Sequence, residues 1–289
     1  MPYELLSSIV LAENNIKDIK EDSEKDKLDT ITVIGEGVQR SELQTSSSLS
    51  VIINKDIERR PDLYSLTTVL KQISNILETG LGNQLPTIRG VEGSSAHGAI
   101  SFLAGARPRV NVQVDGDNSN YNYNELAFAT KSLWDIKQVE VYRGPQSYAQ
   151  GRNSIAGAIV MQSNDPINKF EAAAKTDYGN QNKRQFAAML SGPLVDEQLL
   201  FRFTVDDQGR KSYEHLANYH PAGDSRKFKA TTTKAKLLWL PSAVPDFYSR
   251  LTFKHVDSRN PQGEFKPTTN YDTYRSVFKI RTSSTRLSI

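Results

Sequence analysis

The sequence predicts a small α+β domain followed by a run of antiparallel β-strands, and three observations carry that prediction. Between residues 49 and 164, short β-branched runs are interspersed with one stretch of helical periodicity. After Pro166 the helical period disappears and apolar residues alternate with polar ones. The 289 residues, 37% of them hydrophobic, are enough for one or two domains with a core.

In chain order, residues 1–28 read as a flexible leader. Residues 5–12 (LLSSIVLA) form a short apolar stretch ending in alanine, preceded by Pro2, Tyr3 and Glu4 instead of a basic residue. That pattern suits either the remnant of a secretory signal or a first helical turn. Residues 13–29 (ENNIKDIKEDSEKDKLD) carry mixed charge and no aromatic, too little apolar surface to repay the entropy of ordering them. Thr30-Ile31-Thr32-Val33-Ile34 is the first strand-like run, stopped by Gly35 and isolated by the polar residues that follow. Such a strand is either an edge of the next domain or a segment that pairs with a partner's sheet edge.

The α+β domain comes next. Residues 49–53 predict a strand, and Asn54 is placed to cap a helical turn beginning near Lys55. Leu63, Leu66, Val69, Leu70, Ile73, Ile76 and Leu77 recur at spacings of three and four, which predicts an amphipathic helix of up to roughly four turns. Short strands are predicted at 87–88, 110–114, 139–142 and 156–161, with Asp115-Gly116 as a turn and Gly144-Pro145 as a stop.

Beyond Pro166, Phe201, Phe203 and Val205 alternate with Arg202, Thr204 and Asp206, and Ala235, Leu237 and Trp239 share one face. The strands run to about eight to twelve residues, the span of a tilted membrane-crossing strand. Residues 192–197 and 241–246 predict short connections with Pro or Gly, and 208–227 a long polar one. Two architectures share this pattern: a soluble sheet with one wet face, the commoner solution, and the wall of a transmembrane barrel.

Composition excludes several functions. There are 36 basic and 33 acidic side chains, so no strong field invites nucleic acid. Zero cysteines exclude disulfides, thiolate metal sites and cysteine nucleophiles. A mean hydropathy of −0.52 excludes a membrane-spanning helix but not a barrel. Gly93-Ser94-Ser95-Ala96-His97-Gly98 is no nucleophile elbow. The run from Asp115 to Asn120 begins like a calcium loop but has Leu126 where the bidentate glutamate belongs. His97, His215, His220 and His255 show no metal-ligand spacing. No enzyme, metal site or cofactor is therefore expected.

Residues 135–161 read DIKQVEVYRGPQSYAQGRNSIAGAIVM, an aspartate-led strand running into Arg143, Gly144, Pro145, Gln146 and Ser147, then a loop bounded by Gly151 and a small-residue strand. This closely resembles the plug domain of TonB-dependent outer-membrane receptors. Ile88, Arg89 and Gly90 match the plug's Ile-Arg-Gly, and Val112-Gln113-Val114-Asp115-Gly116 its Val-x-Val-Asp-Gly turn. Asp29, Thr30, Ile31, Thr32 and Val33 resemble the TonB box. The chain departs from the family at Ser74-Asn75, where Pro-Gly is common, and at Tyr148-Ala149-Gln150.

The resemblance implies an α+β plug domain followed by strands of an incomplete transmembrane β-barrel. It divides the chain into a leader (1–28), a TonB box (29–34), a plug (45–165) and barrel strands (166–289). It further implies TonB-dependent uptake of a scarce ligand, most simply a ferric siderophore, with outer-membrane lipid around the barrel and no nucleic acid. Arg89 and Arg143 are expected to pair with barrel carboxylates. The apical loops at 81–84 and 117–124, with Tyr121 and Tyr123, are expected to face the ligand. Roughly six strands fit after Pro166, against about 22 in such transporters, so the chain is expected to be a truncated receptor. With so short a leader, transport without surface signalling is expected. The alternatives are a soluble periplasmic plug-like binding module and a non-functional product of an interrupted gene.

Overall fold

The computed structural model describes residues 32–33, 35, 40–41, 45, 47–60, 63, 65–77, 85–94, 107–117, 128, 131–180, 182–211, 227–244, 247–265 and 273–288. The chain divides into two compact units, Met1–Ser46 and Ser47–Ile289. In the first, strand β1 (Thr32–Val33) pairs antiparallel with β2 (Arg40–Ser41), and Val33 is buried. The expected isolated strand is corrected at these two residues, which already hold a partner within the chain. Asp29, Thr30 and Ile31 lie outside the described residues.

The second unit opens with an α+β layer. Its elements are β3 (Leu49–Ile53), helix α1 (Asn54–Arg59), helix α2 (Leu66–Leu70), β4 (Ile76–Leu77), β5 (Thr87–Ile88), β6 (Val110–Val114), β7 (Ile136–Arg143), helix α3 (Ser147–Gln150) and β8 (Gly157–Ser163). The sheet runs β3-β7-β8-β6, antiparallel except for the parallel pair β6–β8, while β4 and β5 form a small ladder of their own. β-Branched residues at every second position explain one face. Val110, Val112, Val114, Val139, Val141 and Ile159 join Ile57, Leu66, Val69, Leu70, Leu85 and Phe128 in the core.

The other face of this sheet is also buried, but polar. Glu140 accepts from Gln138 Nε2 at 2.5 Å and from the Tyr142 hydroxyl at 2.6 Å, and Asn111 Nδ2 donates to the Gln150 carbonyl at 2.9 Å. Gln113 Nε2 donates to Gln150 Oε1. Buried polar groups are tolerable only when bonded in this way.

Two expectations need correction. The residue before α1 is Ile53, which makes no side-chain cap, and Asn54 Nδ2 instead donates to the Ile136 carbonyl at 2.9 Å, tying the helix to β7. The helix expected over 63–77 is only Leu66–Leu70, opened by a capping box between Ser65 and Thr68. Leu63, Leu66, Val69, Leu70 and Ile73 are buried as the spacing required. The backbone, however, turns at Asn75, whose φ of 64° is left-handed, and Ile76 then pairs with Ile88. Asn tolerates that region better than most residues, so it can stand where the family commonly has glycine.

Six strands follow in sequence order: β9 (Glu171–Gly179), β10 (Lys183–Val195), β11 (Leu199–Lys211), β12 (Lys227–Trp239), β13 (Ser249–Phe265) and β14 (Thr273–Ser288). All neighbours are antiparallel, in one open sheet with β9 and β14 at its edges. Gly192 and Pro193 lie inside β10 at a bulge, and the turn expected there falls at 196–198, with Glu197 at φ 57°. The connection between β9 and β10 is as tight, so long and short connections do not alternate cleanly.

Burial distinguishes the two sheet architectures. Phe186, Leu190, Phe203, Leu237, Trp239, Leu251 and Phe253 are exposed, while Gln185, Ser191, Arg202, Thr204, Asp206, Thr232, Lys234, Lys236 and Lys254 are buried. A soluble sheet would bury the first set and wet the second. An apolar face turned outward over a polar face turned inward is a barrel wall. No helix among the described residues is long and apolar enough to cross a membrane, which leaves strands free to do so.

Candidate functional site

The motif residues of the α+β domain build its turns. Arg89 and Gly90, with φ of 51° and 78°, form a tight reversal in which Ile88 and Val91 exchange backbone hydrogen bonds of 3.0 and 2.9 Å. Asp115 and Gly116, at 53° and 73°, do the same between Val114 and Asp117. Gly144 N donates to the Ala156 carbonyl at 2.9 Å and Gln146 N to that of Ser154 at 2.8 Å, closing the β7–β8 connection around α3. Pro145 precedes that helix and Ser147 begins it, while Gly151 ends it at φ 70°.

The side chains with the strongest mutual geometry lie where this domain meets the strands. The strand register places Arg202 directly opposite Lys236, and Lys234 directly opposite Lys254, on the inward face. Like charges facing one another across a ladder repel, and within the sheet, among the described residues, Arg202 meets only the half-exposed Glu171 of β9 at 3.5 Å, so most of the counter-charge comes from elsewhere. The α+β domain supplies it. Arg202 Nε lies 2.9 and 3.1 Å from the two Asp135 oxygens and Nη2 is 2.6 Å from Oδ1, a forked contact buried on both sides. Lys236 Nζ meets Asp115 Oδ1 at 3.4 Å and Asp165 Oδ1 at 3.1 Å, and also donates to the Ser163 carbonyl at 3.0 Å. Arg250 Nη1 reaches both Asp165 oxygens at 2.9 Å, and Lys254 Nζ lies 3.5 Å from Asp117.

Neutral contacts fill the gaps. Trp134 Nε1 donates to the Ala188 carbonyl at 3.2 Å, and Lys234 Nζ donates to the Trp134 carbonyl at 3.2 Å. Asp115 also accepts from Ser163 N at 2.8 Å and from the Ser163 hydroxyl. Burial alone would raise the Asp115 carboxyl, but the ammonium groups of Lys236 and Lys234 and the Ser163 bonds hold it below its ordinary value. Arg286 Nη1 donates to the Asp115 carbonyl at 3.2 Å and lies over Gly116, where any side chain would collide with the guanidinium. Asp135 and Asp115 both have positive φ, which Asp tolerates and larger branched residues do not.

Residues 41–158 match the family described as the TonB-dependent receptor plug domain. This stretch of the chain is a TonB-dependent receptor plug domain. Among curated proteins the chain is similar to the vitamin B12 transporter BtuB of Vibrio vulnificus, at 27% identity over 214 residues, covering 71% of this chain and 31% of the transporter. It is 35% identical over 65 residues to the ferrioxamine B receptor of Salmonella typhimurium, covering 22% of this chain and 9% of that receptor. The fold is similar to the ferripyoverdine receptor of the outer membrane of Pseudomonas aeruginosa bound to ferripyoverdine. That match has a TM-score of 0.63 at 15% identity, covering 88% of this chain and 33% of the other. The chain thus spans about a third or less of the length of these relatives.

Among the described residues, Arg89 and Arg143 do not make the expected pairs with barrel carboxylates, and the ion pairs run the other way. Arg143 spends Nη1 on the Ser74 carbonyl at 3.3 Å and Nη2 on the Leu49 carbonyl at 3.2 Å, bracing its own domain. Arg89 is exposed and has no ion pair among the described residues. The strands carry the cations and the plug the carboxylates. Asp135 leads the plug motif and Asp117 opens a loop expected to face the ligand, where it instead meets Lys254, but Arg202, Lys236, Arg250 and Lys254 carry no motif. Their only signal was a polar residue at every second position of each strand, which reads equally as a wet outer face. Tyr121, Tyr123 and residues 81–84 lie outside the described residues.

Proposed function

We propose that the receptor takes up a scarce ligand across the bacterial outer membrane, a ferric siderophore in the first instance, with energy delivered by TonB to residues 29–34. In this reading residues 1–28 are a leader, 45–165 the plug and 166–289 barrel strands. The observation that supports it is the inverted sheet: aromatic and leucine side chains face outward while the cations face inward and hold the plug. A soluble periplasmic binding module would gain nothing from exposing that band. Receptors and transporters of this kind bind and move their ligands without chemistry on them. The resemblance to a vitamin B12 transporter supports a corrinoid as the second ligand class.

The experiment is uptake by cells in which the native gene is deleted and then restored. Radiolabelled ferric siderophores and radiolabelled cyanocobalamin are compared with and without an active TonB system. Restored, TonB-dependent accumulation of one class identifies the cargo. Accumulation of neither, with the protein present in outer-membrane fractions, overturns the transport reading. Ile31→Pro removes a backbone donor from the coupling strand and should abolish energised uptake while leaving surface binding unchanged.

A further inference from the structure

The outward face of the strands carries a charged feature of its own, at the end opposite the turn at 196–198. Strand register sets Tyr178 of β9, Arg184 of β10, Gly209 of β11, Lys229 of β12 and Arg259 of β13 in one line across five neighbouring strands. Arg184 and Lys229 are exposed and alternate with the buried Gln185, Phe228 and Ala230, so they share the face of Phe203, Leu237 and Phe253. The Arg184 side chain lies over Gly209, with Nε 3.4 Å from where a Cβ would sit, so a cation also covers the position that has no side chain. At the next outward position along the strands, Lys211 and Lys227 face each other directly. Among the described residues, these five cations share their end of the face with two carboxylates, Asp207 and Asp257. Asp207 lies 3.8 Å from Lys229 and accepts from the Thr231 hydroxyl at 2.6 Å. Like charges set side by side across a ladder repel, so the line favours an anionic surface broad enough to span several strands.

The height of the line matches that of a lipid headgroup. The turn end of the strands bears Phe170, Trp239 and Tyr248, all exposed, with the Trp239 and Phe247 rings 6.1 Å apart edge to face. Ten residues of β12 separate Trp239 from Lys229. At about 3.3 Å per residue and a tilt of about 40°, that is a height of about 25 Å, the thickness of the apolar band of an outer-membrane wall. Tyr178, 82% exposed, stands where an interfacial aromatic belongs.

We propose that this line binds the phosphate groups of lipid headgroups in the outer leaflet and so sets the depth of the wall in the bilayer. Guanidinium forks and ammonium groups suit phosphate oxygens. Short turns belong on the periplasmic side of such a wall, and the long connection at 212–226 joins the cation-bearing ends of β11 and β12. The headgroup is therefore that of a phosphorylated glycolipid on the extracellular side. The inference rests on the outer-membrane reading above, but not on which ligand is carried.

Binding of lipid A to the whole chain in neutral maltoside micelles tests it, with the retained lipid counted by native mass spectrometry. Bisphosphorylated lipid A should bind more tightly than the same acylated sugar stripped of its phosphates, by about 30-fold or more. Arg184→Gln combined with Lys229→Gln should remove about 30-fold, at about fivefold for each cation near an anionic surface. Lys55→Gln combined with Lys137→Gln neutralises two exposed lysines of the plug and should leave binding unchanged. Equal binding of the two lipids by the natural sequence overturns the proposal, as does selectivity that survives the Arg184 and Lys229 changes. Displacement of lipid A by excess inorganic phosphate marks a free-anion site and overturns the lipid assignment. Should the double variant fail to fold, the comparison of the two lipids on the natural sequence decides. Neither cargo nor TonB enters this assay, so lost lipid selectivity leaves the transport reading standing, and absent uptake leaves the lipid site standing.

Discussion

Arg202 and Asp135 offer the sharpest test of how the plug is held. The guanidinium makes three contacts of 2.6–3.1 Å to one carboxylate, and the two side chains are only 6% and 5% exposed. Arg202→Met leaves the Asp135 carboxylate buried with Asn164 Nδ2, at 2.8 Å, as its remaining strong donor. Stranding one charge of a buried pair costs about 3–5 kcal/mol. Asp135→Asn preserves the shape and tolerates the φ of 58°, yet leaves Glu171, at 3.5 Å, as the one carboxylate paired with Arg202 among the described residues. The double variant removes both charges, so its cost should fall short of the sum by about 2 kcal/mol.

A reporter already sits in this seam. The chain has 2 tryptophans, Trp134 bonded to the Ala188 carbonyl and Trp239 on the outward face. In a Trp239→Phe background, Trp134 emission followed through a guanidinium titration in micelles reads plug release directly. With a denaturant slope of about 4 kcal/mol/M, Arg202→Met should lower the midpoint by about 1 M. A shift under about 0.2 M, or strictly additive costs in the cycle, would refute the view that this pair anchors the plug.

Three further outcomes follow from the same geometry. Phe203→Arg places a charge on the outward face and should cost about 2–4 kcal/mol of insertion free energy if that face meets lipid, read as lost outer-membrane yield beside a neutral Phe203→Leu control. Gly157→Ala drives a methyl into the Tyr142 carbonyl and to 2.9 Å from Ile88 Cδ1, and should destabilise the plug by about 1–3 kcal/mol in thermal unfolding of the chain. The Asp115 carboxyl is held below its ordinary 3.8, so its contribution is complete above that value and is lost as pH falls through the lower, folded one. Asp115→Asn should therefore flatten the acid limb of the Trp134 emission titration.

Local pattern was enough for much of the plug. The strands at 49–53, 87–88 and 110–114 appear residue for residue, because β-branched runs bounded by Gly, Asn or Asp leave the backbone few choices. The apolar spacing from Leu63 to Ile73 located the buried side chains but overstated the helix, since one left-handed residue, Asn75, redirects the backbone without disturbing burial. Period two likewise established the strands after Pro166. It could not say which face is wet, because alternation is symmetric about the sheet and reads the same from either side.

What the sequence determined by itself is therefore most of the strands, the tight turn at Asp115-Gly116, and the plug domain at residues 41–158. What only the tertiary structure decided is the sense of the sheet and the polarity of the seam. Arg202 and Lys236, or Lys234 and Lys254, become neighbours only once the register is set. Their repulsion is relieved chiefly when Asp115, Asp117, Asp135 and Asp165, far away in sequence, are docked beneath them. Counter-ions act through distance in space, and spacing along a chain does not encode that distance until it folds.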